Sequence, residues 1–399
     1  MKDLITFKNI PLSNDLIHTL YENADTYDLK VGYDPETHLV SLYDNVSHEK
    51  LFHDDYVYDS SQSSTMIEHF KDSALSIQDR FNPIAPLEIG SNSGIFIKHF
   101  SRNNSVAVEP CSNFAHLTTR MKIPTYDEYW GDEVVDKILK DHGQRDMIYS
   151  ANTISHIQNL DECFSNIYKC LSKNGVFIVE CPSFLHLLKG NAFDQFYHEH
   201  QSYFSCLSLN ILLKKHNLSI FDVEFHPVHG GTYRYFITKN NHHKLEENVI
   251  SAINEEIEYG LNNYETLKTK IKVMEDNMSI IKKTLLDIKE EGHTVVGYGA
   301  SAKFTQVTNM CGIDDDLVKC VLDTTPIKQN KYLPKSKILV LPYSKELLLE
   351  ADYCFLGAWN YKNEIMEKEQ EFLEKGGKFI THIPQVEIIE KPENDISNR

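Results

Sequence analysis

Short apolar runs alternate with helical stretches from Pro86 onward, and this alternation constrains the fold more than any other feature of the chain. Apolar runs that are each followed by a helical pattern are typical of a parallel α/β sheet. A second series of the same kind starts at Thr294. We therefore predict an α/β protein with two Rossmann-like sheets, the second smaller than the first.

The chain has 399 residues, which is too long for one ordinary hydrophobic core. We predict an irregular lead-in over 1–80, a first α/β domain over 81–240, a helical connection over 241–291 and a second α/β domain over 292–399. Within the connection, apolar residues recur three and four positions apart from 264 to 288. This seam favours a long helix packed on its own chain over a coiled-coil or dimer contact, so we expect a monomer or a homodimer.

The net charge of −18 argues against nucleic acid and anionic membranes as partners, because both would be repelled. The start of the chain has no apolar core of signal-peptide length, and no apolar run approaches a membrane span. We therefore expect a cytoplasmic protein. Its eight cysteines include no CxxC pair, so we expect reduced and mostly buried thiols.

The first α/β series opens with a strand that runs into a glycine turn from Gly90 to Gly94, and a helix is predicted to begin near Ile95. The second strand ends in Glu109, where a carboxylate can accept hydrogen bonds from a ribose diol. The pattern GxGxxG is absent, and ExGxxxG resembles the S-adenosylmethionine site of class I methyltransferases, with a glycine turn that holds no ligand as the alternative. Six residues are predicted to bind this cofactor: Glu88, Gly90, Asn92, Gly94, Glu109 and Asn152.

Two histidines and a carboxylate occupy three consecutive positions, 198–200, within the stretch FDQFYHEHQSYFS at 193–205. Imidazole beside a carboxylate is a candidate for proton transfer, and an ordinary buried or surface histidine is the alternative. A metal site is disfavoured, since HEH lacks the HExxH spacing. The stretch follows the predicted fifth strand and His156 follows the fourth, so both are expected at the carboxyl edge of the sheet, where ligands bind.

Two further glycine turns have polar neighbours. His229, Gly230 and Gly231 precede Arg234, and this group could hold a phosphate or carboxylate or form a plain hairpin turn. The second α/β series begins with GYGASAK at 297–303, where a lone GxG is weak evidence for a dinucleotide. Lys303 is the phosphate candidate of that turn, and a purely structural second domain is the alternative.

Five motifs in this order and spacing resemble the sugar C-methyltransferases of bacterial deoxysugar pathways. They are ExGxxxG at 88–94, ANTISHI at 151–157, FYHEHQSYFS at 196–205, HGGTYR at 229–234, and GYGASAK at 297–303 with KQNKYLP at 328–334. The resemblance implies that S-adenosylmethionine binds in the middle domain. It also implies that a nucleotide-linked 4-keto sugar binds between that domain and the C-terminal domain, and that the carbon next to the keto group is methylated.

The resemblance also assigns roles to individual residues. His200, which ends YHEH, is implied to be the general base, and Tyr197, Glu199 and His156 are implied to orient it or to contact the sugar. The motif DYVYDSS at 55–61 also matches the family, so Tyr58 and Ser61 become expected substrate contacts. With the turn residues above, the predicted substrate-binding set is Tyr58, Ser61, His229, Gly230, Arg234 and Lys303.

The lead-in departs from the family, which usually opens with a zinc module built on two cysteine pairs. Asp34 and Thr37 stand where one pair is expected, and no cysteine precedes Cys111. Structural zinc needs four soft or borderline ligands, so we predict no metal. Three other functions stay open at this point: O-methylation of a sugar hydroxyl, an NAD(P)-dependent two-domain dehydrogenase, and a non-catalytic nucleotide-sugar binding subunit.

Overall fold

The computed structural model describes residues 1–43, 46–52, 56–239 and 242–391, so Asp55 of the DYVYDSS motif lies outside the described residues. The backbone divides into two compact units. The first unit comprises Met1–Leu4, Lys30–Leu187 and His198–Leu267, and the second comprises Ile5–Leu29, Leu188–Tyr197 and the chain from Lys268 onward. None of the described helices combines the length and apolar character needed to cross a membrane.

The lead-in, predicted to be irregular, contains regular elements. They are β1 (Lys2–Pro11), β2 (Thr26–Tyr33), β3 (Val40–Leu42), α1 (His48–Leu51) and α2 (Ser64–Phe81). In the first unit, the end of β2 pairs antiparallel with β3, with Val31 opposite Leu42.

The middle of the chain alternates strands and helices, as its sequence predicts. These elements are β4 (Pro86–Ile89), β5 (Val106–Val108), α3 (Ser112–Arg120), β6 (Thr125–Tyr126), α4 (Asp132–His142), β7 (Arg145–Ala151), α5 (Leu160–Cys170), β8 (Leu171–Pro182), α6 (Phe184–Lys189), β9 (Ser202–Tyr203), α7 (Cys206–Lys214), β10 (Leu218–His226) and β11 (Thr232–Lys239).

Seven of these strands form one sheet in the order β10-β11-β8-β7-β4-β5-β6. Strands β4 to β8 of this sheet are parallel, and β11 runs antiparallel to its two neighbours, β8 and β10. Strands β4, β5 and β7 are buried on both faces, which explains their largely apolar runs. The predicted class I methyltransferase sheet is thereby confirmed.

The helix predicted near Ile95 is wrong. A single 3₁₀ turn, Ile97–His99, occupies this position. The segment is short, because the chain turns again between Ser101 and Ser105, whose N–H donates to the Ser101 carbonyl. The carboxylate of Glu88 in β4 accepts the N–H of Ile97 (3.1 Å), and this hydrogen bond stabilises the 3₁₀ turn. A few residues between two turns leave too little chain for a stable helix.

The helical connection consists of two helices, α8 (Glu247–Tyr259) and α9 (Tyr264–Glu290). Helix α8 ends at Gly260, whose φ of +94° suits glycine. The predicted seam of α9 is buried within the chain, which confirms the helix packed on its own chain. The buried seam residues are Leu267, Ile271, Met274, Met278, Ile281, Leu285 and Ile288.

The second unit contains the second Rossmann-like sheet, in the order β14-β13-β12-β15-β16-β17, with β17 antiparallel at one edge. All eight cysteines of the chain are free and buried, as expected. The elements from Val295 onward are β12 (Val295–Tyr298), α10 (Ala302–Met310), β13 (Cys320–Asp323), β14 (Leu339–Pro342), α11 (Lys345–Leu349), β15 (Tyr353–Leu356), α12 (Lys362–Lys368), α13 (Gln370–Glu374), β16 (Lys378–Thr381) and β17 (Glu387–Ile389).

Candidate active site

The glycine turn after β4 adopts left-handed backbone, with φ of +71° at Gly90 and +72° at Gly94. The N–H of Gly90 donates to the carbonyl of Val108 (2.8 Å). A Cβ added to Gly90 would lie 2.0 Å from Oγ1 of Thr153, so the loop after β7 lies against the turn. The turn and this loop meet at the carboxyl ends of their strands, where open α/β sheets bind ligands.

Glu109 lies at the tip of β5, beside the glycine turn. Its Oε2 accepts the N–H of Asn92 (2.6 Å), and its Oε1 accepts the N–H of Cys111 (3.0 Å). Burial raises the pKa of Glu109, against the lowering effect of these two N–H groups. Each oxygen keeps further acceptor capacity, so the contact of Glu109 with a ribose stays a prediction. Glu88 instead lies within β4, and its bond to Ile97 favours a structural role.

Asn92 connects the glycine turn to the DYVYDSS motif. Its Oδ1 accepts both the N–H and the hydroxyl of Ser60 (3.0 Å each), and its Nδ2 donates to the carbonyl of Tyr58 (2.9 Å). The side chain of Tyr58 is 41% exposed. The Ser61 hydroxyl donates to Oδ1 of Asp59 (2.7 Å). The first unit thus brings the predicted substrate residues Tyr58 and Ser61 next to the predicted cofactor turn.

The loop after β7 presents two open polar atoms. Asn152 has a φ of +54°, and its N–H donates to the carbonyl of Glu180 (2.7 Å). The Oδ1 of Asn152 and the Nε2 of His156 are buried and have no hydrogen-bond partner among the described residues. Buried polar atoms in this state fit a site whose ligand supplies the missing partner.

His156 lies between two rings. It stacks on His200 with ring centroids 5.3 Å apart and on Phe52 at the same distance, with interplanar angles of 26° and 18°. Burial lowers the pKa of His156 to about 3, so the ring is neutral near pH 7. The stacking places the ring of His200 beside the loop that contacts Gly90, as the sequence predicts.

The His198-Glu199-His200 triplet is buried. The hydroxyl of Tyr56 donates to Oε2 of Glu199 (2.8 Å), which fixes this carboxylate. Burial lowers the pKa of His198 to about 4. His198 is therefore a weak base at neutral pH, and His200 is the better candidate for proton transfer. Tyr197 is buried and precedes the triplet directly, and its implied role stays a prediction.

The HGG turn forms the hairpin between β10 and β11. Backbone φ is positive at His229 (+52°), Gly230 (+86°) and Gly231 (+115°), and His226 lies opposite Thr232. The hairpin alternative is thereby confirmed, and it accounts for the paired glycines without a ligand. Substrate binding by His229 and Gly230 stays a prediction.

Arg234 is buried, with 2% of its surface exposed. Its Nε donates to Oε1 of Glu180 (2.8 Å), one terminal nitrogen donates to Oε2 of Glu224 (3.1 Å), and the other donates to the Ser73 hydroxyl. Because three guanidinium nitrogens have partners within the fold, the geometry argues against the predicted substrate contact and favours a structural role. The predicted convergence of Arg234 with the glycine turn fails, since Arg234 lies two residues into β11 and faces the core.

Lys303 is the second residue of α10 in the second unit, and its Nζ lies 4.9 Å from the centroid of the Trp359 ring. Burial lowers the pKa of Lys303, and the charge of Asp194 acts in the opposite direction. In the second Rossmann-like sheet, Asp323 ends strand β13. Its carboxylate accepts the N–H groups of Ala300 and Thr325 (2.7 Å each). Each of its two oxygens thus accepts one backbone N–H of the turn that precedes α10 or of the loop after β13.

The chain is similar to known methyltransferases along nearly all of its length. Residues 73–223 match a family described as methyltransferase domain, and residues 227–384 match one described as C-methyltransferase C-terminal domain. C-methyltransferase NovU of Streptomyces niveus is 30% identical over 395 residues, which cover 97% of this chain and 94% of that protein. The chain belongs to the C-methyltransferase family.

Solved structures align with less than half of the chain. A S-adenosylmethionine-dependent methyltransferase from Clostridium acetobutylicum has 13% identity and a TM-score of 0.35 over 44% of this chain and 92% of its own. Magnesium protoporphyrin IX methyltransferase of Synechocystis with bound SAH has 8% identity and a TM-score of 0.34 over 43% of this chain and 83% of its own. Scores of this size add nothing to the assignment as a C-methyltransferase.

The cofactor of this C-methyltransferase is S-adenosylmethionine, and the residues at the glycine turn fit it. Three features lie on neighbouring loops at one edge of the sheet. They are the backbone at Gly90, which leaves no room for a Cβ, the carboxylate of Glu109, and the Oδ1 of Asn152, which has no partner among the described residues. When bound, the cofactor supplies an electrophilic methyl group.

Two aromatic residues of the candidate site are not predicted from the sequence. Tyr56 holds Glu199, and Phe52 covers His156. Tyr56 and Tyr58 belong to the same motif, and the sequence gives no sign which of the two turns inward. Phe52 carries no sequence signal, because an isolated aromatic residue in a loop fits surface and core alike.

The lead-in of this C-methyltransferase has a hydrogen-bonded turn at the positions where the resemblance leads us to expect a cysteine pair. The carboxylate of Asp34 accepts the hydroxyl of Thr37 (2.6 Å) and the N–H of Glu36 (3.0 Å), and the hydroxyl of Tyr33 pairs with Nδ1 of His38 (2.6 Å). A carboxylate and a hydroxyl bonded to each other do not fit a tetrahedral zinc site. Among the residues the structure describes, no group of three or more His, Cys, Asp or Glu could hold a metal.

We expect chelation to leave the C-methyltransferase unchanged, because the turn at Asp34 is closed by hydrogen bonds. Incubation with a chelator should not shift Tm, whereas Asp34→Ala should lower the free energy of unfolding by about 1 kcal/mol through lost hydrogen bonds. Thermal unfolding with and without chelator measures both effects, with Asp15→Ala at an exposed lead-in position as the control. A fall in Tm that added zinc restores would contradict this account.

Glu256 on α8 stabilises the start of α7, which follows the His198-Glu199-His200 triplet of the C-methyltransferase. Its Oε1 accepts the N–H of Cys206 and its Oε2 accepts the N–H of Leu207 (2.8 Å each). Burial raises the pKa of Glu256 to about 7, although both N–H groups lower it. The folded state therefore holds this proton more tightly than the unfolded chain does.

This raised pKa predicts a pH-dependent stability. The stabilisation is fully present below pH ~4.5, the pKa of an unperturbed Glu, and is lost as pH rises through about 7. Relative to Glu256→Gln, the wild type should lose on the order of 2–3 kcal/mol of unfolding free energy between pH 4.5 and 8. Urea unfolding at several pH values measures this difference. Parallel curves for the two proteins would mean that Glu256 does not titrate in this range.

Proposed function

We propose that this C-methyltransferase acts on a nucleotide-linked keto sugar, that it methylates the carbon next to the keto group, and that His200 is the general base. The observation that carries the proposal is the stacking of His200 on His156, because His156 lies on the loop that contacts the glycine turn. A base at the mouth of a methyl-donor pocket is what C-methylation requires.

The chemistry explains why a positioned base is needed. A hydrogen beside a ketone is weakly acidic, so an enzyme must remove it while the enolate oxygen is stabilised. His200 takes the proton from the carbon, and the electron pair of that C–H bond becomes the nucleophile for the methyl group. The proton leaves with the imidazole and passes to solvent.

The neighbours of His200 support its role as the base. Tyr56 fixes the carboxylate of Glu199, which we propose to orient the catalytic imidazole. The neutral ring of His156 stacks on His200 without adding a positive charge that would make proton uptake harder. Tyr58 and Ser61 stand beside the same turn through Asn92 and are proposed to contact the sugar.

The phosphates of the nucleotide part of the substrate call for a cationic partner. Lys303 of the second unit is the residue we propose for this contact, because it is the second residue of a helix that follows a glycine turn. Replacing Lys303 by Met should raise KM for the sugar and leave the affinity for S-adenosylhomocysteine unchanged.

A screen of nucleotide-linked keto sugars with methyl-labelled S-adenosylmethionine tests the proposal. We expect transfer of the label to at least one 4-keto sugar, with the new methyl carbon bonded to carbon in the NMR spectrum of the product. A methyl shift typical of an O-methyl group would replace the proposal with methylation of a hydroxyl. Transfer to no nucleotide sugar, in a protein that binds S-adenosylhomocysteine, would overturn the choice of substrate.

A further inference from the structure

A buried carboxylate in the second unit has partners that no part of the proposed mechanism uses. Asp194 is fully buried, and its Oδ2 accepts the indole N–H of Trp359 (2.7 Å). The same oxygen lies 2.9 Å from Nε2 of His382, which is also fully buried. We call Asp194, Trp359 and His382 the Asp194 cluster.

The hydrogen bonds of the Asp194 cluster define its chemistry. An indole N–H only donates, and a carboxylate only accepts, so Nε2 of His382 must carry the proton that points at Asp194. Oδ1 of Asp194 and Nδ1 of His382 are buried and have no hydrogen-bond partner among the described residues. Burying a carboxylate costs free energy. Two donors on one oxygen of Asp194 and the attraction between its charge and Lys303 compensate for this cost.

The cluster fixes the chain just before the catalytic triplet. The ring of Phe193 packs edge-on against His382, with centroids 5.9 Å apart, and Phe193 and Phe196 are fully buried. Asn191 adds a third point of attachment, since its Nδ2 donates to the carbonyl of Pro384 (2.9 Å). The segment 188–197 is thus held firmly within the second unit.

The catalytic triplet follows this held segment without a spacer. The second unit's share of the stretch ends at Tyr197, and His198 is the next residue. His200 is only six positions after Asp194, a chain length that can span at most ~20 Å when fully extended. Downstream, Glu256 holds Cys206 and Leu207, so a buried carboxylate fixes the chain on each side of the triplet.

We propose that Asp194 is a positioning residue, and that its bonds to Trp359 and His382 set the location of the His200 imidazole. Proton transfer depends steeply on distance, and a misplacement of about 1 Å can cost on the order of 100-fold in rate. A catalytic group on a loop therefore needs supporting residues whose own side chains are locked. Asp194 acts on turnover through the backbone that leads to His200.

The inference rests on the proposed function for its kinetic test, and Trp359→Phe is the mildest variant. It removes the N–H donor to Asp194 and keeps an aromatic ring. We expect kcat to fall about tenfold, with the affinity for S-adenosylhomocysteine within twofold of wild type. Asp194→Asn, which removes the charge, should lower kcat by roughly 100-fold.

Tyr343→Phe is the matched control in the same unit. It removes an O–H donor to another buried carboxylate, Glu369 (2.7 Å), which has no part in the Asp194 cluster. We expect this variant to keep wild-type kcat. An equal loss of kcat in Tyr343→Phe and Trp359→Phe would overturn the proposal, because it would trace the loss to general destabilisation.

Hydrogen exchange separates a failure of this inference from a failure of the proposed function, because it needs no sugar. With S-adenosylhomocysteine bound, amides 195–203 should exchange faster in Trp359→Phe and Asp194→Asn than in wild type and Tyr343→Phe. Faster amide exchange without any detectable sugar methylation would support the positioning role of Asp194 and overturn only the proposed substrate class. Unchanged amide exchange at 195–203, or a kcat within twofold of wild type in both cluster variants, would overturn the positioning role of Asp194.

Discussion

Replacing His200 by Asn should lower kcat by roughly 10²–10⁴-fold, because the variant removes the group that takes the proton from the sugar carbon. The affinity for S-adenosylhomocysteine should stay close to that of wild type, since the glycine turn and Glu109 are untouched. Initial rates at saturating substrates and titration calorimetry with S-adenosylhomocysteine measure the two quantities on one protein preparation.

His198→Asn is the comparison that makes this prediction specific. The two histidines are two positions apart and both buried, so the variants disturb packing to a similar degree. Burial lowers the pKa of His198 to about 4, which makes its ring a poor proton acceptor near pH 7. We expect a loss of less than about tenfold for His198→Asn. A larger loss for His198→Asn than for His200→Asn would transfer the role of base to His198.

Arg234→Met should lower the free energy of unfolding by about 3–5 kcal/mol, the cost of leaving a buried charge without its partner. Burial alone would raise the pKa of Glu180, yet the Arg234 guanidinium and His69 hold it well below its usual range. Glu180 accepts hydrogen bonds from Arg234 (2.8 Å), His69 (2.6 Å) and the hydroxyl of Tyr149 (2.6 Å). Without the guanidinium, this carboxylate remains fully buried at the end of β8.

Urea unfolding of Arg234→Met measures the predicted loss, and Lys8→Met is the control. Lys8 pairs with Asp28 at the surface, where its side chain is 67% exposed, so its loss should change stability little. The variant also separates the two roles considered for Arg234. A stable Arg234→Met protein whose KM for the sugar is strongly raised would restore the substrate contact that the sequence suggests.

The sequence predicts the sheets well because their signals are local. Apolar runs mark the buried strands, glycines mark the turns with positive φ, and Glu109 is found at the tip of its strand as expected. The prediction of a helix near Ile95 fails for an equally physical reason. Sequence pattern reveals apolar periodicity but not how soon the next turn, at Ser101, ends the available length.

The site is predicted less completely, because side-chain partners are distant in sequence. Arg234 looks like an anion ligand beside two glycines, but its partner Glu180 lies 54 positions away in β8. The same holds for Tyr56 and Glu199, which are 143 positions apart. Asp194 belongs to the stretch 193–205, yet the sequence gives no sign of its role, because its partner Trp359 follows 165 positions later.

The exchange of the sugar's own hydrogen tests the central claim most directly. In D₂O, with S-adenosylhomocysteine bound so that no methyl group can be transferred, the wild type should replace the hydrogen next to the keto group by deuterium, as followed by NMR. His200→Asn should slow this exchange by at least about 100-fold. Equal exchange rates in the two proteins would show that another group removes the proton, and His200 would lose its role as the base.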